Sequence, residues 1–165
     1  MIIYYMDNTL SHDKQFETKL ALLQEILNKK KDALSAILNI SENQENLYNQ
    51  PPGEERREFL MGMGRLKQAQ IDEVIACDEV FQRIFDGLSA EFEEKSAEYK
   101  EQIQKMQDSI KEVLELDVKI RAQEEKSRAK VKESYGLPAK ENVIITANKN
   151  YILEQYKANS KNKPK

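Results

Sequence analysis

His12 is the only histidine of the chain and Cys77 its only cysteine, so nucleophile-and-base chemistry of the commonest kind would have to run between these two. His12 stands in the polar stretch Ser11-His12-Asp13-Lys14, which reads as the solvated start of a helix. Cys77 falls on the apolar side of a helical pattern, where a cysteine behaves as a small hydrophobe with little thiolate. The two residues make no credible dyad. One histidine also falls short of the two Glu-x-x-His pairs of a di-metal carboxylate bundle, and of the ligands for haem or structural zinc. Met61-Gly62-Met63-Gly64 lacks the lysine and hydroxyl residue of a phosphate-cradling loop and follows no strand. Glu91, Glu93, Glu94, Glu98 and Glu101 read as a solvated helix face with partners such as Lys95 and Lys105. These residues imply a protein that is not an enzyme and holds no metal or cofactor.

What positions the side chains is helix. Charged residues make up 33% of the 165 residues and apolar ones 39%, with five glycines, four prolines and no tryptophan. That is the Glu/Lys/Gln/Leu-rich profile of long helices, with apolar residues forming a narrow seam in place of a thick core. The expected fold is all-α: an elongated antiparallel bundle of three long helices with coiled-coil-like packing, followed by a C-terminal tail with residues spaced for one short helix.

The first helix is expected over residues 11–48. Its stripe runs Phe16, Leu20, Leu23, Leu27, Leu34 and Ile37, with Lys30 in the apolar slot between Leu27 and Leu34. Lys30 is read as lying along the seam on its aliphatic stem with its ammonium reaching water. Pro51-Pro52-Gly53 ends this helix, and Glu54 and Glu55 suit the positive end of the next. The second helix carries Phe59, Met63, Leu66, Val74, Cys77, Phe81, Ile84 and Leu88, with Gln70 interrupting the spacing. Gly62 and Gly64 each weaken a helix interior by about 1 kcal/mol, which suggests an ordered start nearer Arg65. Asp86-Gly87-Leu88-Ser89 offers a stop and a new cap. A third helix then carries Phe92, Tyr99, Ile103, Met106, Ile110, Val113 and Ile120 up to the Gly136-Leu137-Pro138 stop.

Two details of the third helix bear on function. Asp117 occupies the seam position between Val113 and Ile120, where helical drift is expected to turn Leu114 or Val118 inward instead. From Arg121 to Glu133 the stripe fades into charged residues, so this end is expected to run past its partners with little core beneath it.

Residues 1–138 form the expected bundle and 139–165 a separate basic tail. The tail holds six lysines against two glutamates, net +4, which leaves −7 for residues 1–138. Its Val143, Ile144 and Ile145, then Tyr151, Ile152, Leu153 and Tyr156, either dock on the bundle or meet a partner. The overall charge of −3 and a pI near 5.4 argue against nucleic acid. The apolar run at Met1 to Met6 is too short to cross a bilayer or to form a secretory signal, and one cysteine allows no internal disulfide. A soluble, cytoplasmic protein without membrane insertion is expected.

Three features taken together resemble the flagellar type III export chaperones of the FlgN type. They are the antiparallel arrangement of long helices, an extended last helix rich in Glu, Lys and Gln, and a C-terminal segment with tyrosines after a Gly/Pro stop. The suggestive residues are Leu20-Ala21-Leu22-Leu23-Gln24-Glu25-Ile26-Leu27, the helix ending Val131-Lys132-Glu133-Ser134-Tyr135-Gly136, and the later Asn150-Tyr151. The resemblance implies a cytoplasmic chaperone that binds amphipathic terminal helices of hook-filament junction subunits and keeps them export-competent. It places partner binding in the C-terminal portion, at Val131, Tyr135, Val143, Ile144, Ile145, Tyr151, Ile152 and Tyr156. The Pro51-Pro52-Gly53 turn and the Met-Gly repeat have no counterpart in that pattern. The other reading of the same heptads is a structural or assembly coiled coil that self-associates through its seams, and the chain is expected to be a monomer or a homodimer.

Overall fold

The computed structural model describes the backbone of residues 2–135 and the side chains of residues 14–134. Three long helices make up this part: α1 (Ile2–Leu47), α2 (Glu54–Lys95) and α3 (Lys100–Tyr135). At about 1.5 Å per residue they extend roughly 69, 63 and 54 Å. α2 runs back along α1, bringing Asp78 to Lys30, Lys67 to Gln44 and Arg56 to Gln50. α3 reverses again and lies parallel to α1, bringing Tyr99 to Phe16, Ser109 to Gln24 and Glu124 to Ser41. α1 packs along both neighbours, whereas among the described residues no Cα atom of α2 lies within 8 Å of a Cα atom of α3.

The expected first stripe is the core. Phe16, Leu20, Leu23, Leu27, Leu34 and Ile37 are all buried, joined by Ile71, Val74 and Leu88 of α2 and by Ile103, Met106, Val113 and Ile120 of α3. Lys30 keeps its place in the seam by pairing its Nζ with Asp78 at 2.5 Å. α1 ends in a tightened turn, where Tyr48 N–H donates to the Glu45 carbonyl and Asn49 N–H to that of Asn46. After Pro51 and Pro52, Gly53 is extended and its carbonyl accepts the first bond of α2 from Arg57 N–H.

The helix boundaries differ from the sequence expectation in three places. α1 starts at Ile2, so His12 lies within a helix and not at its start. α2 starts at Glu54 and runs through Gly62 and Gly64, because Glu54 and Glu55 favour its positive end and Arg56 bonds back to the Gln50 carbonyl at 2.8 Å. α2 also continues through Gly87. Ser89 Oγ donates to the Asp86 carbonyl at 3.0 Å, a bond within the helix and not a cap on a new one, and Leu88 is fully buried.

The reversal comes instead at residues 96–99, without glycine or proline. The Lys95 carbonyl accepts from both Glu98 N–H and Tyr99 N–H, and Ser96 stays in the right-handed helical region. What fixes this site is an aromatic cluster. Phe92 before the turn and Tyr99 at its last position both pack on Phe16, with ring centroids 6.5 and 5.1 Å away, and Lys95 Nζ lies 5.2 Å from the same ring. Phe92 therefore belongs to α2. The cluster predicts a loss of about 3–5 kcal/mol for Phe16→Ala in denaturant unfolding. Gly87→Ala is expected to stabilise by about 0.5–1 kcal/mol, since a Cβ there meets nothing nearer than Lys19 Nζ at 4.0 Å.

Candidate functional site

Chemistry-bearing side chains gather at one end of the bundle, where α1 finishes, α2 begins and α3 finishes. Glu124 of α3 is buried there with its Oε1 accepting from Ser41 Oγ of α1 at 2.8 Å and from Lys67 Nζ of α2. Lys67 Nζ also donates to Gln44 Oε1 at 3.2 Å. At the next residue, Gln123 Nε2 donates to Glu45 of α1 and approaches Ser127 Oγ at 3.5 Å. Arg56 closes the end, stacked 5.5 Å above the Tyr48 ring, with Nη1 donating to the Gln50 carbonyl and lying 3.5 Å from Ser134 Oγ.

Two expectations are corrected by this arrangement. The distal part of α3 does not run past its partners: Gln123, Glu124, Ser127 and Val131 are buried against α1 and α2. The apolar stripe fades because polar residues occupy the inward positions and satisfy one another across the helices. On α2 the inward residues are Lys67 and Ile71, so Gln70 is no interruption, and Leu66 is 62% exposed and Phe59 54%.

The Lys67–Glu124 ion pair is shut away from solvent, with 3% and 6% of the two side chains accessible. A buried acid and base paired in this way discriminate strongly between helix registers. Replacing one member leaves the other charge buried and alone. Lys67→Met is therefore expected to cost about 3–5 kcal/mol in denaturant unfolding, while Lys67→Met with Glu124→Leu is expected to recover most of that loss.

Asp117 also holds its seam position. It is half-buried and bonded to Arg121 at 3.0 Å, while Leu114 and Val118 point to solvent at 60% and 65% exposure, contrary to the expected inward turn. The i,i+4 arginine explains this, because it gives the carboxylate a partner without moving the helix.

Cys77 is a free, buried thiol, as its apolar position implied. Burial, then the nearby carboxylates of Glu73 and Asp78, push its pKa up. A thiol raised in the folded state holds its proton longer than in the unfolded chain. Its contribution to stability is thus full below the unfolded thiol's pKa and is lost as pH rises through the folded one. Native protein is expected to react with a thiol reagent such as DTNB far more slowly than denatured protein at pH 8, a difference read directly from absorbance.

Among the described residues no three His, Cys, Asp or Glu side chains are grouped to hold a metal ion, and no helix is long and apolar enough to cross a membrane. Of the expected partner residues, Val131 is only 1% exposed and sits inside the bundle. The Tyr135 side chain and Val143, Ile144, Ile145, Tyr151, Ile152 and Tyr156 lie outside the described residues. The exposed Leu66, Leu114 and Val118 were not singled out by sequence as surface residues, since heptad counting assigned or allowed each an inward place. Comparison with protein-family models, curated proteins and solved structures finds no match.

Proposed function

We propose that the protein is a cytoplasmic export chaperone of the FlgN type, which holds amphipathic terminal helices of hook-filament junction subunits against its surface before export. The observation that carries this reading is apolar surface left over by a bundle whose own core is complete. Leu114 and Val118 on α3 are exposed one helical turn apart, a spacing that suits the apolar face of a partner helix. The resemblance seen in the leucine stripe and the Val131-to-Gly136 helix ending supplies the class of cargo.

Self-association through the heptad seams is the less favoured alternative. Leu27 is buried and Ile110 half-buried in the chain's own core, so such pairing would require the bundle to open.

The test is retention of purified terminal helical segments of hook-filament junction proteins by the immobilised full chain. Leu114→Lys with Val118→Lys is expected to weaken retention roughly tenfold or more while leaving helicity unchanged, because both residues are exposed. Undiminished retention by the double variant, or none by the parent chain, rejects the proposal.

A further inference from the structure

α2 carries a second seam that the bundle does not use. Phe59, Leu66, Glu73 and Val80 follow at intervals of seven, and Gly62, Ala69 and Ala76 each stand three residues further on. This is the a/d spacing of a helix that packs against another helix. Phe59, Leu66, Ala69, Glu73, Ala76 and Val80 are all exposed, and a Cβ at Gly62 would meet nothing within 4 Å. The inward seam of α2, through Lys67, Ile71, Val74 and Leu88, lies on another side of the helix.

We infer that this ridge is the contact between two copies of the chain, paired antiparallel through α2 about a two-fold axis between residues 67 and 68. In an antiparallel pair an a position faces a d position of the partner helix. This register sets each of the two largest side chains opposite a small one: Leu66 meets Ala69 and Phe59 meets Ala76 of the second copy. Glu73 meets Gly62, whose lack of a side chain leaves room for the carboxylate to bend outward. On the flank Arg65 comes beside Asp72 of the second copy, twice by symmetry. All three carboxylates and cations named here lie at the exposed surface, where Arg65 is left open by its own chain's helices. A glycine in the middle of a long helix costs about 1 kcal/mol relative to alanine, and close approach of a second helix gives it a role that the chain's own packing does not. An isologous pairing of this kind closes on itself and leaves Leu114 and Val118 of α3 outside the named contacts.

The experiment uses the full chain without cargo, so its outcome is independent of the chaperone reading. Sedimentation or light scattering is expected to give twice the 19.2 kDa chain mass at micromolar concentration. Leu66→Glu is expected to give the single-chain mass with unchanged circular dichroism. Arg65→Asp should weaken the dimer, and adding Asp72→Arg in the same chain should restore it. Mixed Leu66→Cys and Ala69→Cys chains should form a disulfide-linked pair faster than either alone. A concentration-independent 19.2 kDa species, a dimer indifferent to Leu66→Glu, or fastest cross-linking of Leu66→Cys with itself, as parallel pairing would give, each overturns the inference.

Discussion

A carboxylate and an ammonium that have left water must find each other, and in this bundle that requirement ties three helices together at one level. Glu124 comes from α3, Lys67 from α2, and Ser41 and Gln44 from α1, so each helix contributes to the same buried network. Sliding α2 or α3 by one residue would leave a charge buried without its partner, at a cost of several kcal/mol, and sliding α1 would strip the pair of its Ser41 and Gln44 hydrogen bonds. Apolar seams alone are more forgiving, because leucines can exchange neighbours with little loss. The polar layer therefore sets the register, and the long apolar stretch toward Phe16 supplies most of the burial.

The opposite end is closed by different means. Phe16, Phe92 and Tyr99 meet where α2 gives way to α3, and the chain reverses in four residues of ordinary sequence. One end of the molecule is thus specified by charge and hydrogen bonds, the other by aromatic packing. α1 and α2 contribute side chains to both.

This division explains what was legible in the sequence. The stripe from Phe16 to Ile37 and the stop at Pro51-Pro52 could be read directly, because apolar periodicity and proline act locally. The polar layer could not, since Lys67, Gln123 and Glu124 look like surface residues until their partners from distant segments are in place. The same blindness put Leu66 inside and Lys67 outside, a shift of one residue that rotates the face by about 100°. Gly87 was a local signal outweighed by tertiary packing, for Leu88 gains more from burial than the glycine loses in helix propensity. The exposed surface residues follow from the same rotation, so they became visible only once the true inward face was known.

The parallel course of α1 and α3 has a consequence for how the chain reaches this state. Contacts between α1 and α2 begin six residues apart, at Gln50 and Arg56, and widen to 23 and then 48, so that pair can close progressively from the proline turn like a zip. Contacts between α1 and α3 all span nearly the same stretch of chain, from 78 to 85 residues. The first of them to form must close a loop of about eighty residues, so the α1–α3 interface carries the long-range contacts that raise the contact order and slow folding, while the α1–α2 hairpin is local.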